Sequence, residues 1–133
     1  MCKTILQPKT RNCPHPRINI LWGERAAEVF WEIRSVQSRS CLFDGRHAPK
    51  ACMGESDALL VGFHSFLATQ QDDRPLFLCD FLERLDESVD LNPIFDALIA
   101  TGRQVLIALP HTYPIERINA LEVNHYSATI HPL

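Results

Sequence analysis

Apolar and polar positions along this chain follow two different periods, and the two alternate. Four short apolar runs stand out: Ile18-Asn19-Ile20-Leu21-Trp22, Ser40-Cys41-Leu42-Phe43, Pro75-Leu76-Phe77-Leu78-Cys79 and Gln104-Val105-Leu106-Ile107-Ala108-Leu109. Between them, apolar residues recur every three to four positions. A strand buried on both faces has no polar side, so such runs separated by helices predict a mostly parallel sheet covered on both faces. The expectation is a single three-layer, Rossmann-like α/β domain over residues 18–133, with five or six strands.

The segment Glu24–Val36 places Ala26, Val29, Phe30, Ile33 and Val36 on one helical face. A second helix is predicted over 93–101, with Asn92 as cap, Pro93 in its first turn and Gly102 closing it. A short helix follows over 115–123. In the last segment, His125, Ser127, Thr129 and His131 alternate with Tyr126, Ala128 and Ile130. This strict alternation predicts a solvated C-terminal edge strand. Segment 57–69 fits a buried strand and also a helix, and Gly62 in its middle favours the strand. Residues 1–17, with Pro8, Pro14 and Pro16 among Lys3, Lys9, Arg11 and Arg17, read as a flexible basic arm. The expected core is Ile20, Phe30, Leu42, Phe77, Phe95, Leu98 and Leu106.

Composition narrows the function classes. A formal charge of −3 over 133 residues argues against a broad nucleic-acid footprint, which would be strongly basic. No apolar stretch approaches the roughly 20 residues of a membrane span, and the first residues lack the apolar core of a signal peptide. The expectation is a cytoplasmic protein with no membrane partner. The five cysteines include no Cys-x-x-Cys pair, and Cys41 and Cys79 fall inside predicted strands, so free thiols are expected.

In open parallel sheets, ligands sit beyond the carboxyl ends of the strands. That rule selects Gly23-Glu24-Arg25, Asp44-Gly45-Arg46-His47, His64-Ser65, Asp80 and His111-Thr112. Trp22, Gly23, Arg25, Arg46, His47 and His111 are the candidate ligand-binding residues. The loop after the first strand holds one glycine and a carboxylate where a dinucleotide or flavin fold would approach phosphate with several N–H groups. No Gly-x-Ser-x-Gly elbow is present. His125 and His131 stand roughly 20 Å apart along one strand, too far to share zinc. A pairing of Cys52 with His47 or His64 is a further, isolated possibility for nucleophilic chemistry.

Carboxylates gathered at strand ends can hold one or two divalent cations that activate water. Glu24, Asp44, Asp57, Asp80 and Asp90 are the candidate catalytic acids. The stretch from Asp80 through Asp90, Leu91 and Pro93 to Gly102 and Val105 resembles the C-terminal half of the NYN (PIN-like) ribonuclease family. There, acids ending a strand precede a helix, a glycine and another strand. The resemblance spans at most residues 57–109 and takes 57–69 as a helix. It implies a nuclease or phosphohydrolase using Mg²⁺ or Mn²⁺, with RNA as partner. The family's acid at the end of the first strand has no counterpart, since Leu21-Trp22 stand there. The favoured reading is therefore a non-catalytic regulatory or adaptor domain that binds a protein or small molecule and needs no cofactor. The metal-dependent nuclease is the alternative.

Overall fold

The structure, a computed structural model, describes residues 2–8, 15–37, 39–47 and 54–132. It forms one six-stranded sheet flanked by helices. The strands are β1 (Cys2–Pro8), β2 (His15–Trp22), β3 (Cys41–Asp44), β4 (Leu76–Cys79), β5 (Val105–Leu109) and β6 (Val123–Pro132). The helices are α1 (Ala26–Val36), α2 (Glu55–Thr69), α3 (Asn92–Ala100) and α4 (Ile115–Asn119). Sheet order is β1-β6-β2-β5-β4-β3. The five strands from β2 to β6 are mutually parallel, as the continuous apolar runs predict for β2 to β5, and β1 pairs antiparallel with β6. No helix among the described residues is long and apolar enough to cross a membrane.

The two sheet faces are covered unequally. Ile18, Ile20, Phe43, Leu78, Ile107 and Leu109 point toward α2, α3 and α4, where they meet Leu59, Phe63, Ile94, Leu98 and Ile118 in the larger core. Leu21, Phe77, Cys79, Ala108 and Ala128 point the other way, against Ala26, Val29 and Phe30 of α1. One helix cannot cover five strands. It packs on β2, β5 and β6, so Leu42 of β3 and Leu106 of β5, both expected in the core, are only partly buried. Ile20, Phe30, Phe77, Phe95 and Leu98 are buried as expected.

Three segments differ from the sequence expectation. Segment 57–69 is helical within α2. Phe63 stacks on Phe81 with centroids 4.9 Å apart and meets Phe43 edge-on at 6.1 Å. This packing outweighs the cost of Gly62, about 1 kcal/mol relative to alanine. The last strand, β6, is not an edge, because β1 continues the sheet beyond it from Cys2↔Pro132 to Pro8↔Tyr126. Its alternation marks two differently covered faces: His125 is only 6% exposed on one, and Ala128 is buried on the other. Consequently residues 2–8, expected within an arm, form a strand, and β2 begins already at His15. Lys9, Arg11 and Cys13 lie outside the described residues.

Local signals set the helix ends. Gly102 terminates α3 with φ +67° and donates its N–H to Ile99 O. Asn92 is the first helical residue rather than the cap, and its N–H is satisfied by Asp90 Oδ1 at 3.0 Å.

Candidate functional site

The carboxyl ends of β2, β4 and β5 enclose a cleft of about 190 Å³. Its floor is apolar, made by Ala27 of α1 and Ala108 of β5 over the buried Phe30, while Leu109 borders it with its side chain on the opposite face. Its rim carries Glu24, Asp80, Glu83 and His111, and Trp31 contributes an indole wall. Gly23, Cys79 and Pro110 complete it. This is where an open α/β sheet offers a ligand site.

The turn from β2 into α1 decides what the cleft can hold. Gly23 has φ +131°, and a Cβ there would meet Ala128 O at 2.4 Å, so only glycine fits against β6. Three of the turn's N–H groups bond within the domain: Gly23 N to Leu109 O at 3.2 Å, Arg25 N to Ala128 O at 3.2 Å and Ala26 N to Gly23 O at 3.3 Å. A phosphate cradle needs such donors free and aimed at the ligand.

Asp44 and Asp80 end β3 and follow β4. Asp44 is buried and held by Arg46, whose Nη2 lies 2.6 Å from Oδ2 and whose Nε lies 3.1 Å from both oxygens. The Arg46 backbone N–H adds a 2.9 Å bond to Oδ1. These bonds hold the Asp44 carboxyl below its usual range. Arg46 also approaches Asp80 at 3.5 Å, as does Arg84 at 3.8 Å. His47 Nε2 stands 3.7 Å from Asp44. Asp80 itself adopts φ +50°, which is uncommon for a residue with a side chain.

Ligand atoms of Asp44, Cys79 and Asp80 lie within 4.8 Å of one another. The set suits Mg²⁺ or Mn²⁺ poorly. Arg46 engages both Asp44 oxygens, and burial, reinforced by the two nearby carboxylates, pushes the Cys79 thiol up to about 12. A hard cation would have to displace a guanidinium and would find a protonated thiol as third ligand.

The residues singled out from sequence divide accordingly. Gly23, Glu24, Asp80 and His111 line the cleft. Asp44, Arg46 and His47 adjoin it through Asp80. Trp22 faces the other way: its indole N–H donates to Tyr113 O at 3.0 Å, and the ring packs on the larger core. Arg25 pairs with Glu28. Asp90 bonds to the first turn of α3, and Asp57 lies exposed in the first turn of α2; neither lines the cleft. His64 and Ser65 are exposed helical residues, since α2 replaces the expected strand. Cys52 lies outside the described residues, and Cys41 and Cys79 are free and buried.

Trp31 and Glu83 escaped the sequence reading. Trp31 stands one position beyond the buried Phe30, off the apolar stripe that marks α1, and it is 39% exposed. Glu83 sits in a one-turn 3-10 helix, Leu82–Arg84, with Oε1 accepting the Phe81 N–H at 2.9 Å. Burial pushes its carboxyl above the usual range. The signal available for Glu83 was its place three residues after a strand-end acid. The chain matches no protein-family model, curated protein or solved structure.

Proposed function

We propose that this chain is a non-catalytic binding domain, of regulatory or adaptor type, that engages a protein or small molecule through the cleft at the carboxyl ends of β2, β4 and β5. The observation that carries this reading is the state of the strand-end acids: Asp44 is tied to Arg46, and Asp80 is shared with Arg46 and Arg84. Acids engaged in this way hold loops together, and a water-activating metal would have to compete with the guanidinium groups for them. The internally bonded β2–α1 turn argues in the same direction against nucleotide phosphates.

The alternative, a metal-dependent nuclease or phosphohydrolase, draws on the closeness of Asp44, Cys79 and Asp80. One experiment separates the two. Melting temperature is measured with and without Mg²⁺ and Mn²⁺ for the native chain and Asp80→Asn, and the same samples are assayed for RNA cleavage. A binding domain shows no metal-dependent rise and no cleavage. Mn²⁺-dependent cleavage that disappears in Asp80→Asn establishes the nuclease instead.

A further inference from the structure

The cleft has a composition that selects the charge of its ligand. Its lining contains Glu24, Asp80 and Glu83 and no lysine or arginine. Asp80 is compensated by two arginines, whereas Glu24 and Glu83 form no ion pair with the described residues. Next to them lie the apolar floor and the partly exposed Trp31 ring. Arg34 already stands over this ring at 5.8 Å from its centroid, a cation–π contact within the chain itself. Anions meet the opposite conditions, because the N–H groups of Gly23, Arg25 and Ala26 are bonded elsewhere and carboxylates repel them.

We infer that this cleft takes a small organic cation, an ammonium or guanidinium on a short alkyl stem. The alkyl part would lie on Ala27 and Ala108, above the buried Phe30, and the charged head between Glu24, Glu83 and the Trp31 indole. A hydrated metal ion would gain nothing from the apolar floor, whereas an alkyl cation uses floor, wall and rim together. This assignment rests on the binding reading above and names the ligand class for the same site.

Amide NMR tests it, because the two indole N–H resonances report separately on the cleft (Trp31) and the core (Trp22). The probes are butylguanidinium, butylammonium and butyl phosphate at low salt, together with an arginine tripeptide blocked at both ends. The expected result is saturable movement of the Trp31 resonance with the cations, no such movement with butyl phosphate, and Trp22 unchanged. Comparison of the free cations with the tripeptide tells whether the group is taken alone or as a side chain. Glu24→Gln, at an exposed position, should weaken cation binding at least threefold, and Glu83→Gln should weaken it further. Cations that leave Trp31 unmoved, affinity unchanged in both variants, or butyl phosphate binding as tightly would overturn the assignment. Such failure is distinct from failure of the wider reading, which metal-dependent cleavage alone would bring about.

Discussion

Gly45 lies against the backbone of Asp80 so closely that a Cβ at position 45 would meet the Asp80 carbonyl oxygen at 1.7 Å. The contact clamps the loop after β3 onto the end of β4 and holds Arg46 where it reaches both Asp44 and Asp80. The obstacle is backbone, so it cannot swing aside as a side-chain tip would. Gly45→Ala should therefore cost about 1–3 kcal/mol, the usual range for overpacking. Urea unfolding measures the loss. A change below about 0.5 kcal/mol would mean that the two loops are not held together.

The two ends of the sheet's apolar pattern predict a contrast in the core. Leu98 is 0% exposed between α3 and the sheet, whereas Leu42 sits on the part of the opposite face that α1 does not reach. Leu98→Ala should cost about 2–5 kcal/mol. Leu42→Ala should cost less, since Leu42 is only partly buried and part of its surface already meets solvent. Equal losses would place an unseen cover over β3.

Much of this architecture is legible in the chain because burial on both faces writes itself into a strand as an unbroken apolar run. Strands β2, β3, β4 and β5 and the helices α1 and α3 follow from that rule and from Gly102, although β3 lies at the edge of the sheet rather than in its centre. What stays hidden depends on partners distant in sequence. Gly62 argues against a helix locally, but Phe63 packing on Phe43 and Phe81 decides the outcome. The polar side of β6 reads as solvent-facing until β1 is known to extend the sheet beyond it. The same holds for the site. Strand-end residues such as Glu24 and Asp80 can be named from topology, yet only the direction of β2's last side chain shows that Trp31, not Trp22, walls the cleft.

Arg103 joins segments that no local pattern connects. Only 6% exposed, it donates to the backbone carbonyls of Gln70 and Arg74, to Asp72 Oδ1 at 3.0 Å and to Cys41 Sγ at 3.3 Å. Arg103→Met keeps the apolar stem and removes every donor, stranding these acceptors. The expected loss is about 1–3 kcal/mol, since Cys41 is buried and the Gln70 and Arg74 carbonyls are partly buried, whereas the exposed Asp72 keeps Arg74 as partner. Arg103→Lys should recover only part of it, because one ammonium cannot reproduce the planar fork.

Deleting residues 1–8 should uncover the outer edge of β6 along the whole β1 pairing. An unpaired strand of that length is a template for association. The shortened chain should melt lower and sediment as dimers or larger species at concentrations where the native chain does not. A truncated chain that stays monomeric with an unchanged melting temperature would return these residues to the role of a dispensable arm.

Glu83 makes a pH prediction whose sign can be worked out. Burial raises its folded pKa above the ordinary value of 4.5, so between those two values the native state binds more protons than the unfolded one. Stability attributable to this group is complete below about pH 4.5 and falls as pH rises through the folded pKa. Glu83→Gln cannot ionise, and its amide oxygen can still accept the Phe81 N–H that Oε1 accepts now. The variant should match the native chain in melting temperature near pH 4 and exceed it at pH 7. The gap should open as pH rises above about 4.5. A variant that is less stable at pH 7, or a gap independent of pH, would mean that the charged carboxylate is already satisfied inside the cleft.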